Sequence, residues 1–342
     1  MNIDFNEIMF YIDLVAIYFI AYNFEIKRIL EKFYKPKNIS NVSKIENNVS
    51  LYQDINLSKI KLEYKKSLLI FTKKVIKNFK EDDLINFYNN INSLDIRNNN
   101  KLLEMALAGT YSSSKNKIEI SGGYENCIYH ELFHMASSKF ENNIDYSGFE
   151  QLKKSFRLGK GINEGYTDLL TYRYFPDGFE SNDAYKYAMD IMQLLEIIVG
   201  KEKMQSLYLQ ADLLGLITEL KKYNLESKIM QFISNMDYII EYMNLGYFKK
   251  KSTYVYKSMT LKRLIDVNQF LLDSYTKKLI LSGNLSYEER QSKLNEFMLT
   301  MTKKITIAIE GYEINLEILH DEMINSCFQK LYDNRYILKY KK

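Results

Sequence analysis

Apolar residues return every three or four positions through residues 5–34 and again through residues 58–80 (SKIKLEYKKSLLIFTKKVIKNFK), the stripe of amphipathic helices. Between them, NISNVSKIENNVS is rich in Asn and Ser and reads as a loop. The helical period resumes at Asp82 with Leu84, Ile85, Phe87, Tyr88 and Ile91 and runs toward Leu103, with a break at Asn98–Asn100. The first hundred residues therefore read as a helical region, with a domain boundary near residue 100 and a second region over 101–342. At Leu107–Ser121 the period changes: two short segments flank a Ser/Lys/Asn turn and Ile118 alternates with Ile120, which predicts a hairpin, the one convincing strand pair of the first half. Past Gly122 and Gly123, Tyr124–Ser138 predicts an uninterrupted helix. A polar loop of about twenty residues, with Asn142, Asn143, Ser147 and Gly148, then leads to a second helix from near Ile162. Further helices are predicted over 183–199, 201–223 (broken or softened at Gly215), 225–242, 261–281 and 287–302. Ile305, Ile307 and Ile309, then Ile314, Leu316 and Ile318 beyond Gly311, fit either a hairpin or helix ends. No internal repeat or low-complexity tract interrupts the pattern.

Composition sharpens this picture. Only 13 Gly and 2 Pro punctuate 342 residues, which favours long helices over many short strands. With 46% apolar and 14% aromatic residues the chain carries a core, which excludes a disordered, collagenous or staple-dependent class. A net charge of +4 is too diffuse for a nucleic-acid binder, so no nucleic acid is expected as partner. The densest basic stretch, Lys249 to Arg263, reads as a solvated face, with an anionic-surface patch as the other reading. Cys127 and Cys327 form no disulfide framework and fit a reducing, cytoplasmic setting. The run Ile8–Tyr22 (IMFYIDLVAIYFIAY) is 15 residues long and carries Asp13. It is short for a span and fits a buried core helix, the alternative being a membrane anchor. The start MNIDFNE lacks the basic region of a cleaved secretory signal.

One pattern carries chemistry. His130, Glu131, Leu132, Phe133 and His134 spell H-E-x-x-H inside the predicted helix, so both imidazoles project from one face, one turn apart, at a spacing that suits two ligands of one zinc ion. Glu131 beside them is placed to take a proton from a water. With three His and 26 Glu in the chain, roughly 0.002 such patterns are expected by chance. A catalytic zinc needs a third protein ligand. Ser137 and Phe140 occupy the places where the extended H-E-x-x-H-x-x-G-x-x-H pattern has its glycine and third histidine, which closes that route. Thirty residues past His134, GINEGYTDLLTYRYF brings Asn163, Glu164 and Asp168.

HELFH followed by NEGYTD resembles the gluzincin branch of zinc metallopeptidases, the thermolysin-like and M1-aminopeptidase-like enzymes, over roughly Leu107 to Phe175. The resemblance implies an α+β, predominantly α-helical fold with a zincin-like catalytic core, and one Zn2+ per chain on His130, His134 and Glu164. It implies Glu131 as general base, and Asn163 and Asp168 as supports of the ligands. Zincin-like folds also run an edge strand before the first zinc helix, a place that falls on Lys117, Ile118, Glu119, Ile120 and Ser121, where a peptide can add as a strand. The family stabilises an oxyanion with a Tyr or His, for which Tyr146, Tyr166, Tyr208 and His320 are all open. The expected function is hydrolysis of a peptide or protein substrate. The rival readings are a non-enzymatic module with zinc as a structural staple and a peptidase tethered to a membrane through residues 8–22.

Overall fold

The structure is a computed structural model that describes residues 60, 62–104, 107–154, 156–177, 179, 183–244, 254–308 and 321–334. The chain divides into two units, Met1–Asp54 and Ile55–Lys342, and every described residue belongs to the second. The expected helix over 5–34, the apolar run Ile8–Tyr22, the segment 309–318, His320 and Lys249–Lys251 lie outside the described residues. Among the described residues no helix is long and apolar enough to cross a membrane.

The described unit is α+β and mostly helical, with two small sheets. Helix α1 (Leu62–Asn78) buries Tyr64, Leu68, Phe71, Thr72 and Val75, a stripe at helical spacing. Phe71 stacks on Phe175 with centroids 5.5 Å apart and meets Phe133 edge-on at 5.0 Å. Helix α2 (Ile85–Ile91) adds Phe87 to the same aromatic cluster. The helical pattern expected to continue toward Leu103 is replaced by strand β1 (Asp95–Asn98) and a single turn at Lys101–Glu104. Only Ile96 of the strand's four residues faces the core, too few positions for a period of two to show.

Strands β2 (Gly109–Ser112) and β3 (Lys117–Ile120) form the expected hairpin, with Asn116 at φ 44° in its turn. The first sheet has the order β1-β3-β2, with β3 parallel to β1 and antiparallel to β2. Lys117–Ile120, expected as an edge strand, is therefore central. Ile118 and Ile120 point into the core, and β2 takes the outer edge.

A 3-10 turn at Glu125–Cys127 leads into helix α3 (Ile128–Ala136). The helix ends without glycine or proline. Ser137 Oγ donates to the Phe133 carbonyl at 2.9 Å, and Asn90 Nδ2 donates to the Met135 carbonyl at 2.8 Å, so the last carbonyls are satisfied from outside the helix.

The polar stretch expected as a loop is a second sheet. Strands β4 (Ser138–Glu141), β5 (Ile144–Ser147), β6 (Glu150–Lys153) and β7 (Phe156–Leu158) run antiparallel in order, each joined by a two-residue link. Asn142 and Asn143 both have positive φ, 55° and 58°, the pair of left-handed residues that a tight hairpin requires. Few residues of these strands are buried, among them Ser138, Ile144, Glu150 and Leu158, so no alternation of apolar and polar residues marks them.

Helix α4 (Lys160–Tyr174) follows directly and is buried at every residue from Gly161 to Thr171. It lies against α5 (Asp183–Val199) and α8 (Glu226–Asn244). The predicted helix over 201–223 is two helices, α6 (Lys201–Leu209) and α7 (Leu213–Leu220). The break falls at Ala211, φ 55°, because Asp212 caps α7 by accepting from Gly215 N at 2.8 Å, while Gly215 itself is helical. Helices α9 (Tyr254–Leu281), α10 (Tyr287–Ala308) and α11 (Asp321–Asp333) complete the described layers. Lys304 of α10 binds Asp190 of α5 at 2.9 Å.

Candidate metal centre

Helices α3 and α4 face each other and bring three ligand-type atoms to one point. His130 Nε2 and His134 Nε2 lie 3.0 Å apart, and Glu164 Oε2 lies 3.2 Å from the first and 3.4 Å from the second. Ligands at about 2.0–2.1 Å around a tetrahedral ion stand roughly 3.3 Å from one another, so the three separations fit one small ion. This trio is the group of His, Cys, Asp and Glu residues that could hold a metal among the described residues. Two imidazole nitrogens with one carboxylate oxygen are a donor set that could hold a small ion such as zinc, and a tetrahedral ion there would take its fourth partner from outside the trio.

The surrounding residues orient these side chains. His130 Nδ1 pairs with Asp168 Oδ1 at 2.7 Å, a partner that holds a proton on Nδ1, so that the neutral ring would turn its Nε2 lone pair toward the cluster. His134 Nδ1 has Ser147 Oγ at 3.3 Å and Asn163 Nδ2 at 3.5 Å. Asn163 is itself held, its Oδ1 accepting from Phe149 N at 3.1 Å. Asn163, Glu164 and Asp168 thus all reach the site from one buried helix, while Ser147 comes from the second sheet.

Glu131 is buried between α3 and the first sheet. Its neighbour there is β2, since a Cβ on Gly109 would stand 3.1 Å from its Oε1 and 2.7 Å from Cys127 Sγ. Burial pushes the Glu131 carboxyl above its ordinary value, opposed by the two histidines. Glu164 goes the other way: burial is outweighed by the His134 charge and the bond to His130, which hold it well below the usual carboxylate range. Burial likewise works against a charged His130, but the carboxylates of Asp168 and Glu164 overcome it and raise its pKa.

Tyr185, at the start of α5, stacks on the His130 ring at 6.0 Å and 14°. Burial, then the charges of Glu164, Asp168 and Glu131, hold its phenol protonated far above the ordinary range. The tyrosines weighed from sequence are engaged by other partners, Tyr208 beside Asn163. Tyr166 donates to Glu196 at 2.7 Å, Tyr208 shares a hydrogen bond with Thr167 at 2.6 Å, and Tyr146 lies under Lys139 on β5. No sequence signal marks Tyr185 or Ser147, because the contacts that matter cross elements.

Comparison of the chain with protein-family models, with curated proteins and with solved structures gave no match, so the chemistry rests on the residues themselves.

Proposed function

We propose that the chain is a zinc metallopeptidase of the gluzincin type, hydrolysing peptide bonds at the His130, His134 and Glu164 centre. The observation that carries this reading is the convergence of the three ligand atoms, all within 4.8 Å of one another, with a buried carboxylate next to the first ligand in the chain. A zinc ion held there supplies Lewis acidity, polarising a carbonyl and lowering the pKa of a water toward about 7.

The protein's own groups do the rest. Glu131 accepts the proton of the attacking water and returns it to the amide nitrogen, so that an amine leaves as the C–N bond breaks. The raised pKa of its carboxyl suits that exchange. Tyr185, its ring stacked on that of His130, walls the site beside the first of the two histidines. Asp168 and Ser147 hold the imidazoles in the tautomer and direction the ion needs. The strand beside Glu131 available to an extended peptide is β2, whose outer edge carries no described strand.

The test pairs metal content with turnover. Purified protein is expected to hold one zinc per chain, lost in His134→Ala and Glu164→Ala. Glu131→Gln keeps the zinc and the melting temperature but loses at least about 10²-fold in cleavage of a responsive peptide, the usual scale of general acid–base help. Equal cleavage by wild type and Glu131→Gln sinks the general-base role. Zinc without cleavage of any member of a broad peptide library favours a structural staple.

A further inference from the structure

Helix α4 carries Asn163, Glu164 and Asp168, yet its own sequence offers nothing to cap it. The residue before it is Gly159 at φ 85°, with no side chain to accept from the first-turn amides. Two amides at this end, that of Gly159 itself and that of Gly161, are met by one carboxylate from far along the chain. Gly159 N–H donates to Asp237 Oδ2 at 2.9 Å and Gly161 N–H donates to Asp237 Oδ1 at 2.7 Å. At Gly161 a Cβ would overlap the carbonyl of Met236, so the backbone of α8 rests directly on the first turn of α4. One turn later Gly165 presses on Ala188 of α5, where a Cβ would come within 2.6 Å of backbone. Glu164 lies between these two contacts in the sequence.

We infer that Asp237 is a positioning residue of the metal centre: its carboxylate fixes the first turn of α4 and thereby aims Glu164 at the two histidines. The inference rests on the metal-centre reading above. Asp237 touches none of the three ligands and acts through the backbone of Gly159 and Gly161. Glu164 follows Gly161 by three residues, less than one helical turn beyond the anchored amide, so a small rotation there carries its Oε2 out of the 3.2–3.4 Å arrangement. The charged groups around Asp237 are Arg157 of β7, Glu150 of β6, and Lys160 of α4, which is paired with Glu241 at 2.9 Å. From α9, Arg263 binds Asn235 and covers Tyr238 of α8. Burial lifts the Asp237 carboxyl to about 7, against the pull of the two amides and Arg157. Protonated, one of its oxygens turns donor toward an amide that needs an acceptor, the same mismatch an Asn introduces.

The test measures zinc affinity by chelator competition, and the melting temperature of the zinc-free protein, on the full chain across pH. At pH 8, Asp237→Asn is expected to bind zinc about tenfold more weakly than wild type, within the range for loss of an outer support, with an unchanged far-UV spectrum and a cooperative melt. The gap narrows toward pH 6, where the wild-type carboxyl takes up its own proton. The stability difference runs the opposite way. A carboxyl raised from 3.8 to about 7 on folding contributes stability that is present at low pH and lost as pH rises through that window, so wild type loses ground to Asp237→Asn from pH 4 to 7. A merely structural cap does not separate the two trends. Asp237→Glu keeps both acceptor oxygens and is expected to bind zinc close to wild type, and it carries the test if the Asn variant does not fold. Wild-type affinity in a folded Asp237→Asn, a gap equal at pH 6 and 8, or a loss in Asp237→Glu as large as in Asp237→Asn overturns the inference. Glu164→Gln in the same series tests the centre itself: wild-type zinc affinity in that variant means the metal-centre reading has failed, whatever Asp237 does.

Discussion

Asp168 shows how much of the centre is set by single contacts. Its 2.7 Å bond to His130 Nδ1 is the strongest of the influences that raise the imidazole's pKa. A histidine raised on folding contributes stability that is fully present below its unfolded value near 6.5 and lost as pH rises through the higher folded value. The zinc-free wild type is therefore expected to lose melting temperature above pH 6.5, and Asp168→Asn to show a flatter profile and zinc binding weaker by about 10- to 100-fold. Calorimetry across pH with chelator competition checks both. Gly109 is the opposite case, a site that works by having no side chain. Gly109→Ala places a methyl against Cys127 Sγ and the Glu131 carboxylate, an overpacking worth about 1–3 kcal/mol. It is expected to cut cleavage at least about tenfold while zinc stoichiometry holds, since the crowded group is no ligand. The histidine pair was legible from sequence because five consecutive residues on one helix contain its whole geometry. Tyr185 was not, because its stacking on His130 joins residues 55 apart in the chain.

The helices α1, α5, α8, α9 and α10 were legible because each buries a stripe long enough for the 3.6-residue period to register, although α9 begins seven residues before the expected start and α10 runs six residues past the expected end. The sheets were not. In β4 to β7 the strands are three or four residues long and turn on Asn142, Asn143, Gly148 and Lys154 in left-handed backbone, so local turn chemistry alone marks them. Packing between helices is also written in absent side chains. Gly165→Ala drives a methyl into the backbone of Ala188 and forces α4 from α5. The expected result is a loss of zinc affinity together with a lower melting temperature, both read on the same preparation. A variant that keeps both values shows that α5 can give way at that turn.

Across the described unit, the cluster that joins the N-terminal helices to the centre is aromatic. Phe71 of α1 meets Phe87 of α2, Phe133 of α3 and Phe175 at the end of α4, and Phe133 meets Phe175 in turn. Phe71→Ala is expected to cost about 3–5 kcal/mol, which at roughly 2–4 °C per kcal/mol lowers the melting temperature by about 6–20 °C. A scan of the zinc-free protein measures it, and a shift below 3 °C would mean the cluster collapses into the vacated space.

The cap on α4 sets an order of events during synthesis. Glu164 leaves the ribosome well before the carboxylate that anchors its helix, since Gly161 and Asp237 are 76 residues apart. At about 5–20 residues per second that interval is roughly 4–15 s. Through it HELFH is already made, but the first turn of α4 has water in place of Asp237. On the proposed metal-centre reading, a nascent chain offers an ion its two histidines early and a fully aimed Glu164 only late, so that full affinity, rather than first contact, waits on the arrival of α8.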